Sequence, residues 1–198
     1  MKKDWTGNKK STFVTLGASN HTEHSRAWLD FYATSPTAIT RFLEKHQIPK
    51  MPIWEICCGE LNLVKPLRTA GYEVITSDIV ERREKLDYVE DFFTTTELRA
   101  PIILTNPAYS VAMKIIQHAI DLGAEYIYMF LKLTFLEGQK RYEQLFSLYP
   151  PKEIWVFSRR EQCAINNDER EFQKSSAACY AWFIWEKGFR GDPTIHWI

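Results

Sequence analysis

The stretch Tyr126-Ile127-Tyr128-Met129-Phe130-Leu131 has no polar face, and that property constrains the fold more than any other. A strand with one wet side alternates apolar and polar residues. A run that is apolar at every position has to be covered on both faces, as a central strand of a sheet flanked by helices. Shorter strands are predicted at 53–57, 73–78 and 101–105. Between them, apolar residues fall at helical spacing: Ala38, Ile39, Phe42 and Leu43, then Leu61, Leu63, Val64 and Leu67, then Ala112, Ile115, Ile116 and Ala119. Ser35 and Pro36 suit the start of the first helix, which the spacing carries to about Lys45, and Gly71 and Gly123 suit the ends of the next two. A further helix is predicted from Phe135 to Leu148, stopped by Pro150-Pro151. The last two strands, at 154–157 and 180–185, flank a charged loop at 158–176. With a weak segment at Asp91-Phe92-Phe93, the pattern predicts an α/β fold: a doubly wound, mostly parallel seven-stranded sheet closing in an antiparallel terminal hairpin.

Composition bounds the rest. A chain of 198 residues, 45% hydrophobic, suits one globular domain, placed at 30–198 and preceded by a polar arm at 1–29. Lys and Arg balance Asp and Glu at a formal charge of zero, which excludes a uniformly basic nucleic-acid binder and makes any such grip local or borrowed from a partner. Cys57, Cys58, Cys163 and Cys179 show no C-x-x-C spacing and read as reduced thiols of a cytoplasmic protein. No apolar run approaches the roughly 20 residues of a membrane span. His21 and His24 lack a third ligand, so no metal site is expected. The tryptophans of the strands, Trp54, Trp155, Trp182 and Trp185, read as core.

In an open parallel sheet, ligands sit beyond the carboxyl ends of the strands. After the first of these strands comes Trp54-Glu55-Ile56-Cys57-Cys58-Gly59-Glu60, with an acid inside the strand and one glycine where a backbone can approach a ligand closely. G-x-G-x-x-G is absent, which disfavours a pyrophosphate dinucleotide and leaves room for a single nucleoside. Asp78 follows Gly59 at about the interval at which an acid reaches ribose hydroxyls, and Asp91 stands where it could accept from an adenine amine. The strand ending at Thr105 runs into Asn106-Pro107-Ala108-Tyr109. A conjugated exocyclic amine is a poor nucleophile. Two acceptors on its hydrogens, the Asn106 carboxamide and the Pro107 carbonyl, would draw the nitrogen toward tetrahedral geometry while Tyr109 stacks on the base.

These motifs, in this order, resemble the class I methyltransferases of the amino-methylating branch, and most closely small phage-type DNA adenine methyltransferase-like proteins. The resemblance extends over nearly the whole chain: Asp30-Phe31-Tyr32-Ala33-Thr34-Ser35-Pro36 looks like the segment that meets the cofactor's methionine part, residues 55–59 like the glycine loop, and Asn106-Pro107-Ala108-Tyr109 like the N-P-P-(Y/F) loop, with Ala108 in place of the second proline. Later strands around Phe130-Leu131-Lys132, Ser158-Arg159-Arg160 and 180–185 are similar too. The resemblance implies S-adenosylmethionine as cofactor, contacted by Tyr32, Thr34, Glu55, Cys57, Gly59, Asp78, Asp91 and Asn106. It implies catalysis by Asn106, Pro107 and Tyr109, and substrate contacts from Tyr109, Lys132, Arg159 and Arg160. The implied substrate is nucleic acid, DNA before RNA, or a protein glutamine amide; a silent cofactor-binding scaffold is the alternative from another class. No separate recognition region is evident, so a partner protein or a second copy is expected to supply target choice.

Overall fold

A computed structural model describes residues 32–159, 161, 163–165 and 178–198. The polar arm, His21, His24 and Arg160 lie outside the described residues. Eight strands form one sheet, in the order β10 (Thr194–Trp197), β7 (Glu153–Val156), β9 (Tyr180–Glu186), β6 (Tyr126–Lys132), β5 (Ile102–Thr105), β2 (Ile53–Glu55), β3 (Val74–Asp78) and β4 (Tyr88–Val89). All neighbours pair in parallel except β9, which runs against both β6 and β7. The expected antiparallel closure is therefore present. It takes the form of β9 inserted between β6 and β7, with β10 added outside as an edge. A separate two-stranded antiparallel ribbon joins β1 (Tyr32–Thr34) to β8 (Cys163–Ile165).

Period-two alternation sorts the strands between two cores, one on each face of the sheet. Ile102, Leu104, Tyr128, Phe130, Trp182 and Ile184 face one, with Ala38, Ile39 and Phe42 of helix α1 (Pro36–Lys45) and Val64 and Leu67 of α2 (Val64–Thr69). Ile103, Ile127, Met129, Leu131, Phe183 and Trp185 face the other, with Ile115, Ile116 and Ala119 of α3 (Ala112–Asp121). The central strand β6 is thus buried on both sides, as its uninterrupted apolar run requires. Ser35 caps α1 by accepting from the Thr37 N–H, and Pro36 opens it. Trp54 and Trp182 are fully buried and their indole N–H groups are satisfied by Ser77 Oγ and the Ala38 carbonyl. Trp155 is half-buried and stacks on His196 of β10, which ties the edge strand to β7.

One predicted element is not continuous. The helix expected from Phe135 to Leu148 is broken into a 3-10 turn, Leu133–Leu136, a short helix α4, Gln139–Arg141, and a π-helical turn, Tyr142–Phe146. The break falls at Gly138, whose φ of 126° no helix accommodates. Among the described residues, no helix is long and apolar enough to cross a membrane.

Candidate functional site

The chain leaves β2 to build β3 and β4 on one side and returns to β5 on the other, so the winding of the sheet reverses between β2 and β5. The carboxyl ends at such a reversal splay apart and leave a crevice. The loop after β2 turns there through Gly59 and Leu61, both with left-handed backbone, at φ 52° and 64°. The turn at Leu61, strained for a branched residue, is held by its buried side chain and by its N–H, which donates to the Cys58 carbonyl at 2.8 Å. The loop is also tied to β3: the Cys58 N–H donates to Ser77 O, and the Gly59 N–H donates to Asp78 Oδ2 at 2.9 Å.

The three acids of the sequence motif occupy distinct environments. Asp78 is 8% exposed and engages both oxygens: Oδ2 with Gly59, Oδ1 with the Val80 N–H at 3.2 Å and, at 3.6 Å, Arg82 Nη1. Glu55 is 1% exposed. Its Oε1 accepts from the Cys57 N–H at 3.1 Å, whereas among the described residues Oε2 is buried without a hydrogen bond of normal geometry, as is Thr105 Oγ1 at the end of the neighbouring strand. Burial lifts the Glu55 carboxyl from its ordinary range to about 8; the Thr105 hydroxyl dipole and the Cys57 N–H pull the other way, and the charge of Asp78 adds to the rise. Burial likewise pushes the thiols of Cys57 and Cys58 well up, against formation of the thiolate. Cys57 meets Glu55 through its main chain. Asp91 is exposed and caps the 3-10 turn Phe92–Thr94 by accepting from the Phe93 N–H at 3.0 Å. The Glu90 N–H donates to the Asp78 carbonyl, which sets Asp91 beside the end of β3.

Across the crevice, β5 runs into Asn106, half-buried, and Pro107, buried. The Asn106 carboxamide donates through Nδ2 to Thr34 Oγ1 at 2.7 Å. The Ala108 carbonyl accepts from the Val111 N–H at 3.1 Å, closing the turn into α3 without a second proline. Tyr109 is 39% exposed and meets Phe135 edge-on at 5.9 Å. The Arg141 guanidinium lies beside both rings and donates to the Phe135 carbonyl at 2.8 Å and to the Glu137 carbonyl, fixing the segment that carries Phe135.

The structure brings Thr34, Glu55, Cys57, Gly59, Asp78, Asp91, Asn106, Pro107 and Tyr109 to the carboxyl edge at the reversal. The backbone of Tyr32 is placed in β1 next to it. Lys132 ends β6 on the same edge, and Arg159 follows β7 beyond β9, farther along it. Ile79, immediately after Asp78, is 53% exposed, and Phe93 is 41% exposed. Both are large apolar side chains left open next to the acids Asp78 and Asp91, and an isoleucine opening a polar stretch is a visible signal in the sequence. Asn62, which donates to the Thr34 carbonyl at 3.1 Å, left no such signal.

No family model matches the sequence, and no curated protein matches it. Solved structures do. A candidate RNA methyltransferase from Pyrococcus horikoshii superposes with a TM-score of 0.57 at 12% identity, covering 92% of this chain and 100% of that one. The fold is that of a Rossmann-like methyltransferase. The modification subunit of a candidate type I restriction enzyme from Vibrio vulnificus matches this methyltransferase fold with a TM-score of 0.53 at 11% identity, over 85% of this chain and 47% of that one. The chain thus spans about half the length of the Vibrio subunit.

Proposed function

We propose that this protein is an S-adenosylmethionine-dependent methyltransferase acting on an exocyclic amine, with adenine in DNA as the favoured target. The observation that carries the reading is the juxtaposition, at one reversal of the sheet, of the Glu55–Gly59–Asp78 loop and the Asn106-Pro107-Ala108-Tyr109 loop, the two being linked through Thr34. The cofactor fits the donors and acceptors present. Glu55 Oε2 is buried without a hydrogen bond of normal geometry among the described residues, and a buried carboxylate is costly unless a cation or donor meets it. The α-ammonium of the methionine part is such a group. Asp78 has lone pairs left for ribose hydroxyls, Asp91 is exposed to take an adenine amine, and Ile79 and Phe93 supply apolar cover for a purine.

When bound, the cofactor supplies an electrophilic methyl group on a sulfonium and departs as a neutral thioether. The protein's own work is to present the amine. Asn106 Oδ1 and the Pro107 carbonyl accept its hydrogens, turning the nitrogen lone pair away from the ring, and Tyr109 stacks on the base. A base inside a duplex cannot reach such a loop, so the target is extruded or single-stranded. Lys132 and Arg159, on the same edge, would supply phosphate contacts, and a partner protein or second copy would supply sequence preference.

The test is incubation with a radiolabelled methyl donor and separate pools of double-stranded DNA, single-stranded DNA, RNA and protein. Label recovered as N6-methyladenine in DNA is the expected result. Label in RNA or in glutamine would reassign the substrate, and absence of both label and cofactor binding would overturn the reading. Asn106→Ala should abolish transfer while sparing cofactor affinity.

A further inference from the structure

We infer that the outer edge of β10 is the seat of a second copy of this chain, docked antiparallel about a two-fold axis so that two eight-stranded sheets become one. The parallel ladder between β10 and β7 sets Ile195 opposite Ile154 and Trp197 opposite Val156. The N–H groups of Thr194 and Ile198 donate to the Lys152 and Val156 carbonyls at 3.0 and 2.9 Å, and the Ser158 N–H donates back to the Ile198 carbonyl. Bonds to one neighbour fall on alternate residues of a strand, so the N–H and C=O groups of Ile195 and Trp197 point the other way, out from the sheet. Among the described residues, no strand meets them.

The two edges of the sheet are built differently. β4 is two residues long, and the Arg99 guanidinium, paired with Glu90 at 2.7 and 2.6 Å, lies over the Tyr88 ring at 3.6 Å. A short strand guarded by charge is a poor template for another chain. β10 has four residues, with no Lys, Arg, Asp or Glu among them. Its Ile195 and Trp197 share the face of Ile154 and Val156 and are 49% and 68% exposed.

This edge is complementary to itself. Set antiparallel, Ile195 of one copy falls opposite Trp197 of the other, and each such pair exchanges both of its N–H···O bonds, so every outward group of the two residues finds a partner. Setting Ile195 against itself would instead bring Trp197 opposite Pro193, which has no N–H to give. The first register also lays each Trp197 ring beside the other copy's Ile195 on the same face. Charge favours the approach: 25 Lys and Arg balance 25 Asp and Glu, so two copies do not repel. Asp192 precedes β10 and Arg159 follows β7, so antiparallel docking turns the acid of each copy toward the base of the other. Two strand spacings apart, about 10 Å, these charges steer the encounter without engaging Arg159. The carboxyl ends of the two sheets then point opposite ways, which leaves both crevices accessible.

The test is sedimentation equilibrium of the full chain over a concentration series reaching about 1 mM, the range in which small interfaces associate. A monomer–dimer equilibrium is expected. Ile195→Pro deletes an outward donor and none of the bonds to β7, and Trp197→Lys puts a charge on the edge. Each should weaken dimerisation by about tenfold or more, with far-UV circular dichroism at the parent value. Oxidation reads the register. His196→Cys sets two thiols opposite each other across the two-fold, at a Cα spacing of about 4.5 Å that a disulfide spans, whereas Thr194→Cys sets them roughly 14 Å apart. A disulfide-linked dimer is expected from His196→Cys, and not from the parent or Thr194→Cys. A chain monomeric throughout the series, as it would be if its own arm or a different protein took the edge, would overturn the inference. So would a dimer that either folded variant leaves intact, or cross-linking of Thr194→Cys as efficient as that of His196→Cys.

Discussion

Glu55 makes the sharpest forecast, because its carboxyl is buried and half-satisfied in the protein alone and would be paired when cofactor is bound. With burial lifting it to about 8, it is roughly 3% ionised at pH 6.5. Pairing with an ammonium requires the carboxylate, so binding at that pH must expel close to one proton. Affinity should then climb as pH rises, about tenfold per unit below pH 7, and level off near pH 8. Above that the cofactor's own α-amino group, with an ordinary pKa of about 7.7 to 8.0, loses its charge and affinity falls again. Calorimetry at pH 6.5 in buffers of different ionisation enthalpy reads the proton directly. Glu55→Gln should bind without proton release, and its affinity should be flat below pH 7.

The same shift predicts a stability profile for the protein without cofactor. The unfolded chain gives up the Glu55 proton near its ordinary value of 4.5, while the folded protein keeps it to about 8. The folded state therefore binds the extra proton between those values, and the favourable contribution, complete below pH 4.5, is lost progressively as pH rises to 8. The slope is at most about 1.4 kcal/mol per pH unit and the sum on the order of 5 kcal/mol as an upper bound. Glu55→Gln removes this dependence, so its Tm relative to the parent should rise by about 3 °C per pH unit across that window. Binding at pH 6.5 with no proton released would refute the assignment of Glu55 as the ammonium partner. A Tm difference independent of pH would refute the burial argument itself.

Asp78→Ala should cost stability and cofactor affinity together, since the lost carboxylate accepts from Gly59 and Val80 as well as standing at the proposed ribose position. A charged acceptor of this kind is worth about 1.5 to 3 kcal/mol, and a drop in cofactor affinity with unchanged denaturant stability would place Asp78 on the ligand alone. At Gly138 a Cβ would lie 2.9 Å from Arg141 Nη2 on a backbone that L-residues rarely adopt. Gly138→Ala should therefore destabilise by about 1 to 3 kcal/mol and, by displacing Arg141 from Phe135, raise the KM for the methyl acceptor while leaving cofactor affinity alone. A variant with parent stability and KM would show that Tyr109 does not depend on that platform.

Most of the sheet could be read directly from residue order, because strands buried on both faces and amphipathic helices leave periodic traces. β5, β6, α1 and α3 fall where the periods place them. The parts that could not be read have weak or non-local causes. In β10, Ile195 and Trp197 are 49% and 68% exposed, so this edge strand lacks the buried face that periodicity detects. β1 and β8 are three residues each and owe their existence to one another. The break at Gly138 comes from that residue's φ of 126°, which apolar periodicity does not register. The contact between Asn106 and Thr34 joins residues 72 positions apart, and nothing in either neighbourhood announces it.

The acids carry the same lesson into the chemistry. By position in sequence, Glu55, Asp78 and Asp91 form one series, each at or near the end of a successive strand, and all three suit the same nucleoside. Their surroundings separate them. Asp91 is exposed and retains access to an incoming group. Asp78, satisfied by backbone N–H groups, is first a brace for the Gly59 turn and only through its remaining lone pairs a ligand contact. Glu55, enclosed and with no hydrogen bond of normal geometry at Oε2 among the described residues, is the acid whose free energy would change most on arrival of a cation. It follows that the affinity of the site should respond to pH through Glu55, its geometry should fail through Asp78, and its selectivity for an adenine amine should be lost through Asp91. Three substitutions at chemically equivalent side chains would then produce three unlike phenotypes, which a common role could not.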